Sequence, residues 1–354
     1  MNVNENLVLP QKSFLQKIKE RIFYVLRLTN SPAIKLYQGF GNATHCFIYG
    51  HVLSLGPMPR KKYRQVFLLN TLAVLRLFIV RPIAGAVVQI EWEGKVLESI
   101  TEADGFFKFE WQPVTPTPPG NYSIEAWLIN KTNGSRITSS SANITVPHVN
   151  QFAFISDIDD TFLISHSSNL RKRLFVLLTE NARSRKPFDG VVNHYNLLSM
   201  AGAAEKTCNA FFYVSSSEWN LYEYIREFAR LHQLPDGVYL LNQLKRFNQV
   251  FKTGQNNHKT KFMRIVRILE AFPQQVFILL GDDSQEDPNI YASIVEHFPR
   301  QIFCVYIRMV NQQPKEAVQL KLKEIENAGL PYCYFKHSAE AVIHSKIIGI
   351  IKQV

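Results

Sequence analysis

The spacing of hydrophobic positions changes once along this chain, near residue 148. Before that point, from about residue 35, short runs alternate apolar with polar side chains and are broken by glycine, proline and asparagine. Val88, Ile90 and Trp92 show the pattern, since a polar residue separates each from the next. A period of two is that of a β-strand with one buried face. We predict strands at 45–52, 86–92, 95–101, 106–111, 122–129 and 135–146.

The connections in this first part favour a small β-sandwich. Ala103-Asp104-Gly105 supplies turn residues between two of the predicted strands. The proline-rich stretch 113–119 is interpreted as a stiff loop, because strand-like sequence resumes directly after it. The pattern resembles the prealbumin-like modules that are often fused to enzymes, and no residue in it points to catalysis.

Apolar strands alternate with helical segments after Pro147. Strands are predicted at 152–155, 210–214, 276–280 and 303–307, and helices at 221–231, 262–272, 290–297 and 314–328. This alternation is typical of a parallel α/β sheet. Ligands of such sheets bind at the carboxyl ends of the strands, so the residues just after each strand are the candidates for chemistry.

Two apolar segments raise the question of a membrane. Residues 11–29 place apolar side chains at helical spacing with lysine and arginine between them, which predicts a basic amphipathic helix. This helix would either adhere to anionic lipid or pack on the next domain, and we favour packing. The run 66–88 is the most apolar part of the chain, but Arg76, Arg81 and Pro82 interrupt it. Buried strands are therefore expected there rather than a membrane span.

The composition is that of a folded protein with two domains. The chain has 354 residues, of which 46% are hydrophobic and 19% charged. Forty lysines and arginines against 29 acidic residues give a net charge of +11, which favours anionic partners. Nucleic acid is excluded, because the basic residues are dispersed and no zinc spacing or aromatic platform accompanies them. We place the basic helix in 1–34, the β-sandwich in 35–148 and the α/β domain in 149–354.

The cysteines and the first residues bear on the compartment. The four cysteines are scattered without metal-ligand spacing and are expected to be reduced thiols. Asn2, Asn4 and Glu5 stand where a secretory signal would have basic residues followed by an apolar stretch. We therefore expect a cytoplasmic protein, either free or attached peripherally to a membrane.

Acidic and hydroxyl side chains follow three of the predicted strands. Asp157, Asp159 and Asp160 come directly after the first strand. Such carboxylates repel one another, and Mg2+ suits a carboxylate cluster completed by water and phosphate oxygens. The next two strands run into 215–217, three serines able to hold a phosphate oxygen, and 281–284, Gly-Asp-Asp-Ser. Carboxylates follow two separate strands, so a solvated acidic turn that arose by chance is a poor explanation for them.

A lysine completes the set. The segment 258–261 opens the helix predicted at 262–272, and Lys261 lies one turn before Ile265 on the same face. Its ammonium group should therefore project toward the sheet, where it would neutralise a phosphate or phosphoaspartate. Lys259 is the alternative for this role.

This ordered set resembles a known enzyme family. Asp-x-Asp-x-Thr, serine, lysine and Gly-Asp-Asp, in this order, are similar to the four motifs of the haloacid dehalogenase-like phosphohydrolases. Three segments resemble more closely the catalytic domain of the actin-patch-type phosphatidate phosphatases, namely 157–161 (DIDDT), 213–221 (YVSSSEWNL) and 280–291 (LGDDSQEDPNIY). The implied fold is a haloacid dehalogenase-like Rossmannoid parallel sheet with a helical cap insertion, preceded here by the β-sandwich.

The resemblance implies a catalytic role for each matching residue. Asp157 would be the nucleophile that becomes an aspartyl phosphate. Asp159 would protonate the leaving oxygen and then activate water, while Thr161 would steady the loop. Ser215 would hydrogen-bond the phosphoryl oxygens and Lys261 would balance their charge.

The resemblance also implies a Mg2+ site. Asp282 would join Asp157 and the carbonyl of Ile158 around the ion. Asp159 and Asp283 are the further acidic candidates for this site.

The match to the family has departures and an insertion. Ser216 and Glu218 replace the asparagine and proline that the family usually has after the second strand. Residues 162–206 are too many for a simple crossover and predict a helical cap. The predicted cap contains both basic and apolar residues. This mixture would suit binding to an anionic lipid head group, and it is equally typical of an amphipathic helix whose basic side faces solvent.

The first hypothesis is a Mg2+-dependent phosphatidate phosphatase that hydrolyses phosphatidic acid, or a related phosphomonoester, at a membrane surface. A phosphatase of soluble phosphomonoesters is the alternative within enzymes. A catalytically inactive module that binds lipid or protein is the alternative of another class. The intact acidic set argues against the inactive module.

Overall fold

The computed structural model describes residues 28–29, 31–57, 76–159, 161, 187–203, 207–244, 257–310 and 315–352. Most of the predicted helix at 11–29 lies outside this part, as do the first ten residues of the apolar run 66–88. Leu28–Thr29 is a short strand rather than the end of a helix. None of the helices in the described part is long and apolar enough to cross a bilayer.

Residues 28–146, here called the β region, form one ten-stranded sheet. Its strands are β1 (Leu28–Thr29), β2 (Ala33–Leu36), β3 (Gly39–Gly41), β4 (Cys46–Pro57), β5 (Arg81–Pro82), β6 (Val87–Trp92), β7 (Lys95–Ile100), β8 (Phe106–Trp111), β9 (Gly120–Ile129) and β10 (Arg136–Val146). The path runs β1-β4-β3-β10-β9-β6-β7, and β2, β5 and β8 also pair with β4. All these pairs are antiparallel except β3 with β10.

The period-two pattern is confirmed in these strands. Val88 and Ile90 of β6 are fully buried, while Glu91 of the same strand is exposed. The turn at Ala103-Asp104-Gly105 is present, and Gly105 has φ +77°, a conformation that glycine adopts without strain. The turn does not make a hairpin, because β7 pairs with β6 and β8 pairs with β4. Packing of the β region as a sandwich stays a prediction.

Residues 152–352, the α/β region, alternate strands with helices. These are β11 (Phe152–Ser156), α1 (Val191–Met200), β12 (Ala210–Glu218), α2 (Tyr222–Leu231), β13 (Gly237–Asn242), α3 (Asn257–Ala271), β14 (Val276–Asp282), α4 (Asp287–His297), β15 (Ile302–Arg308), α5 (Glu316–Asn327), β16 (Tyr332–Phe335) and α6 (Ser338–Ile347). The six strands pair in the order β13-β12-β11-β14-β15-β16, all parallel. The expected mixed α/β fold with a parallel sheet is confirmed.

The strand order reverses between β11 and β14. The chain leaves β11 for β12 and β13 on one side, then crosses to β14 and continues outward on the other. Crevices at such a reversal, at the carboxyl ends of the strands, are where open α/β sheets bind ligands. The fold therefore places residues after β11 and β14 at its natural binding position.

The proposed cap is described only at its end. Residues 162–186 lie outside the described part, whereas α1 packs on the parallel sheet. There the Tyr195 hydroxyl lies 2.9 Å from the Ser156 hydroxyl at the end of β11. A cap formed by the preceding residues stays a prediction.

The two regions share one buried cluster. Phe40 of β3 is fully buried, and its ring centroid lies 5.8 Å from that of Phe212 and 5.9 Å from that of Phe272. The Asn42 side-chain amide donates to the carbonyl of Ala271 at 2.6 Å. Other members contributed by the β region are Tyr37, Phe47, Tyr49, Leu53 and Phe78. The β region thus packs against the sheet that carries the acidic motifs.

Candidate active site

Strand register brings the first and third motifs together. Ser156 of β11 pairs with Leu280 of β14, and the next backbone N–H, that of Asp157, donates to the Leu280 carbonyl at 2.8 Å. Neighbouring strands lie about 4.8 Å apart, so side chains that follow them by one or two residues meet at the same edge. Asp157 and Asp282 consequently face one another at the strand reversal.

Three buried carboxylates form the centre of the site. Asp157, Asp282 and Asp287 each offer an oxygen, and these oxygens all lie within 4.8 Å of one another. Asp287 is the first residue of α4 and was not assigned a role from sequence. Its approach depends on Gly281, because a Cβ there would lie 2.6 Å from the Asp287 Oδ2 atom.

Lys261 joins this group from α3. Its ammonium nitrogen lies 2.6 Å from Asp157 Oδ1 and also contacts Asp287 Oδ1. Only 3% of Lys261 is exposed. The structure thus brings Lys261 to the predicted nucleophile, as its helical spacing suggested, whereas the side chain of Lys259 lies outside the described part.

Asp159 is held by the end of β12, residues 215–218, called the serine loop here because the pairing with β13 is irregular between Val214 and Glu218. Its Oδ2 atom accepts hydrogen bonds from the hydroxyls of Ser215, at 3.0 Å, and Ser217, at 2.7 Å. The Ser217 N–H donates to the Ser215 hydroxyl oxygen at 2.8 Å, which fixes the two serines relative to each other. Ser217 had no role assigned from sequence, although it is part of the serine run.

Thr161 and Arg308 fix the loop that carries the first motif. The Thr161 hydroxyl donates to Asp282 Oδ2 at 3.0 Å and lies 3.4 Å from Asp157 Oδ2. The Arg308 Nε–H donates to the Thr161 carbonyl at 2.8 Å, from the end of β15. Arg308 gives no motif signal in the sequence, because an arginine after a strand is common.

Asp283 lies beside the site but contacts other groups. Its carboxylate accepts hydrogen bonds from the Val310 N–H at 2.9 Å and the Tyr334 hydroxyl at 2.8 Å. Neither Asp283 nor Asp159 belongs to the three-carboxylate group found among the described residues. A metal-ligand role for either stays a prediction.

The electrostatics of the site favour an added cation. Burial raises the pKa of Asp157 well above its usual value, and the neighbouring aspartates raise it further although Lys261 lowers it. Burial, followed by Asp287, raises the pKa of Asp282 to about 7. Burial acts to lower the pKa of Lys261, but Asp157 and Asp287 outweigh this and raise it. One lysine is too little positive charge for three buried carboxylates.

The donor set fits a hard divalent cation. Carboxylate oxygens are the ligands that Mg2+ prefers, and three of them stand within reach of a common ion. A bound cation would hold the aspartates in their charged form and draw a phosphate group to the same place.

The site lies in a segment with known relatives. Residues 152–309 match the family model described as phosphatidate phosphatase APP1, catalytic domain. The segment is thus similar to this family. Every site residue above, from Asp157 to Arg308, falls inside the match, and the β region falls outside it.

Two curated relatives cover this part of the chain. Phosphatidate phosphatase APP1 of Saccharomyces cerevisiae is 29% identical over 167 residues, which are 47% of this chain and 27% of the yeast protein. An uncharacterized protein of Schizosaccharomyces pombe is 22% identical over 214 residues, 59% of this chain and 34% of that protein. The chain thus spans about a third or less of these relatives.

Solved structures resemble the chain only distantly. A carbohydrate acetylesterase of Xanthomonas citri, XAC1771, aligns over 83% of this chain and 73% of its own at 8% identity, with a TM-score of 0.27. A score this low carries no argument about fold or function.

Proposed function

We propose that this protein is a Mg2+-dependent phosphatidate phosphatase that works through an aspartyl-phosphate intermediate on Asp157. The observation that carries the proposal is the buried pairing of Asp157 with Lys261, at 2.6 Å, beside Asp282 at the strand reversal. The family of residues 152–309 supports the reaction class. The finer fold we propose is haloacid dehalogenase-like, with a β-sandwich before it.

Asp157 would act as the nucleophile. One of its carboxylate oxygens would attack phosphorus, and the bond from phosphorus to the ester oxygen would break. Lys261, which already contacts Asp157 Oδ1, would orient the carboxylate and balance phosphoryl charge. When bound by Asp157 and Asp282, Mg2+ would neutralise the carboxylates and the phosphate dianion, which otherwise repel each other.

Asp159 would be the general acid and base. The Ser215 and Ser217 hydroxyls hold its Oδ2 atom in place, and the carboxyl group would give a proton to the departing alcohol. The same carboxylate would then take a proton from water as that water attacks phosphorus. The bond from phosphorus to the Asp157 oxygen would break, so inorganic phosphate would leave and the Asp157 carboxylate would be regenerated.

The substrate we propose is phosphatidic acid or a close relative, presented by an anionic membrane surface. Its support is the name of the matched family and of the yeast relative. The net charge of +11 favours an anionic surface. Soluble phosphomonoesters are the competing substrate class for the same chemistry.

The test is phosphate release by the full chain. Phosphatidylcholine vesicles with and without phosphatidic acid, and a set of soluble phosphomonoesters, are compared in Mg2+ and in EDTA. We expect release from phosphatidic acid in Mg2+, loss in EDTA, and loss of at least about a thousandfold in Asp157→Asn. Asp236→Asn is the matched control, since Asp236 is exposed and precedes β13 at the opposite end of the sheet.

Each alternative gives a different result. Release from soluble esters alone would show that the substrate is a soluble phosphomonoester, and the proposed mechanism would still stand. Activity retained in Asp157→Asn would refute the nucleophile. Vesicle binding without release from any ester would indicate an inactive binding module.

A further inference from the structure

The β region contacts the segment that directly follows the serine loop. The serine loop, which is the end of β12, runs into a 3-10 helix, Trp219–Leu221, and α2 follows directly. The Trp219 ring stacks on Tyr37 of the β region, with centroids 4.0 Å apart and planes 14° apart. Tyr37 is 1% exposed and Trp219 is 7% exposed, so water does not separate them.

Two further contacts hold the same short segment. The Asn220 side-chain amide donates to the Leu77 carbonyl at 3.0 Å. The Tyr222 hydroxyl accepts a hydrogen bond from the Gln38 N–H at 3.1 Å. Three residues out of four consecutive ones are therefore tied to the β region by different kinds of contact.

Tyr37 is itself held in place. Its hydroxyl lies 2.9 Å from Nδ1 of His51, a fully buried residue of β4. Burial lowers the pKa of His51 to about 4, so this partner is neutral at pH 7. The stacking surface is thus fixed by the sheet of the β region and not by the loop that it supports.

The other side of the loop is held by the α/β region. The Arg264 guanidinium donates to the Ser215 carbonyl at 3.1 Å and to the Asn242 side-chain oxygen at 3.0 Å. The loop between these two attachments carries the serine hydroxyls that hold Asp159. Small displacements of such a loop matter, because a misplacement of about 1 Å can cost about a hundredfold in rate.

We propose that Tyr37 is a positioning residue for the reaction: by stacking on Trp219 it sets the loop that orients Asp159, so the β region is a working part of the active site. This inference rests on the function proposed above. It assigns to the β region a role that lies outside the matched family segment.

The test separates stacking from the hydroxyl. Tyr37→Leu removes the ring, whereas Tyr37→Phe keeps the ring and removes only the contact to His51. Phe109→Leu is the matched control, because Phe109 is 4% exposed in a separate hydrophobic cluster of the β region. We measure kcat and KM on the best substrate of the wild-type protein, below the unfolding temperature of every variant.

We expect kcat of Tyr37→Leu to fall about tenfold or more with KM within about threefold. Tyr37→Phe should recover kcat to within about threefold of wild type, and Phe109→Leu should match wild type although it is also destabilised. Wild-type kcat in folded Tyr37→Leu, or an equal loss in Phe109→Leu, would overturn the proposal. If Tyr37→Leu fails to fold, Trp219→Leu replaces it, because it removes the other ring of the stack, and wild-type kcat in that folded variant would likewise overturn the proposal.

A second readout does not depend on activity. The Ser217 N–H is bonded within the loop, so hydrogen exchange of residues 213–222 reports loop order. Exchange there should be faster in Tyr37→Leu than in Phe109→Leu, and equal rates would overturn the proposal. If the wild-type protein releases no phosphate from any ester, the proposed function fails, and the exchange measurement still decides whether Tyr37 holds the loop.

Discussion

At the scale of single residues, the ionisation of Asp282 makes the unfolding free energy depend on pH. Its pKa is raised to about 7 by burial and by Asp287. Between the unfolded value near 4 and this folded value, the folded protein binds more protons than the unfolded one. Its contribution to the unfolding free energy is therefore present at low pH and lost as pH rises through about 7.

A metal-free comparison at two pH values tests this sign. In EDTA, the unfolding free energy of wild type minus that of Asp282→Asn should fall between pH 4.5 and pH 7.5, as measured by urea unfolding. Saturating Mg2+ should stabilise the wild-type protein more at pH 7.5 than at pH 4.5, because it binds the charged carboxylates. A difference that grows with pH would contradict the raised pKa.

Asp287 and Asp283 offer a second comparison. Asp287→Asn removes a carboxylate from the three-residue group, so the Mg2+ concentration for half-maximal activity should rise about tenfold or more. Asp283→Asn should leave that concentration unchanged and lower the unfolding free energy by about 1 to 2 kcal/mol, because the carboxylate bonds Val310 and Tyr334. The reverse pattern would make Asp283 the ligand.

The sequence could not distinguish these two aspartates. Asp283 stands in the acidic pair at the strand end, which is the stronger motif signal. Asp287 reaches the site only because α4 begins close to Gly281, whose missing side chain leaves the room. That closeness is a property of packing, whereas Asp157, Asp282 and Lys261 stand at strand ends or at a helix start, and the family resemblance implied their roles.

At the scale of elements, α3 links the two halves of the site. Lys261 and Arg264 are one turn apart on this helix, and they contact Asp157 and the Ser215 carbonyl respectively. Helical residues three apart lie on neighbouring positions of one face. A shift of α3 would therefore disturb the nucleophile and the serine loop together.

Lys261→Met tests the charge that α3 supplies. The change removes the buried counter-charge of Asp157 and Asp287, so the unfolding free energy should fall by about 3 to 5 kcal/mol in EDTA. Activity should fall by about a hundredfold or more. Added Mg2+ should restore more stability to this variant than to wild type, as measured by the shift in Tm. Lys323→Met, on an exposed position of α5, is the control that should change neither quantity.

The elements of the α/β region were predicted unevenly. All four predicted strands and four predicted helices are present, since their apolar runs are long or regular. β13 and β16 were not predicted, and β16 has only four residues, which is too short a run to give a clear signal. In the β region, the alternation predicted β4 and β6 to β10 but missed the short strands β1, β2, β3 and β5. It did not predict the strand partners, because pairing of β4 with five other strands depends on long-range contacts.

At the scale of the whole molecule, the shared cluster predicts cooperative unfolding. Phe40 packs against Phe212 and Phe272 across the two regions. Calorimetry should therefore show one transition with agreeing calorimetric and van't Hoff enthalpies. Phe40→Ala should cost about 3 to 5 kcal/mol and lower the Tm of that single transition.

The control for this experiment is Ile347→Ala. Ile347 is 72% exposed, so the change should stay within about 0.5 kcal/mol. Two separate transitions, with Phe40→Ala moving only one, would show that the regions unfold independently. This packing could not be predicted, because Phe40 lies between two glycines in a three-residue strand, where no hydrophobic pattern is visible.

The pairing of Ser156 with Leu280 limits how the gene for this protein can change in length. Deleting or inserting one codon in β11 or β14 would slide one strand by about 3.3 Å and turn its side chains to the opposite face. Asp157 and Asp282 would then no longer meet, however well the apolar core tolerated the new residues. We therefore expect exchanges among apolar residues to be accepted in these two strands far more readily than any indel.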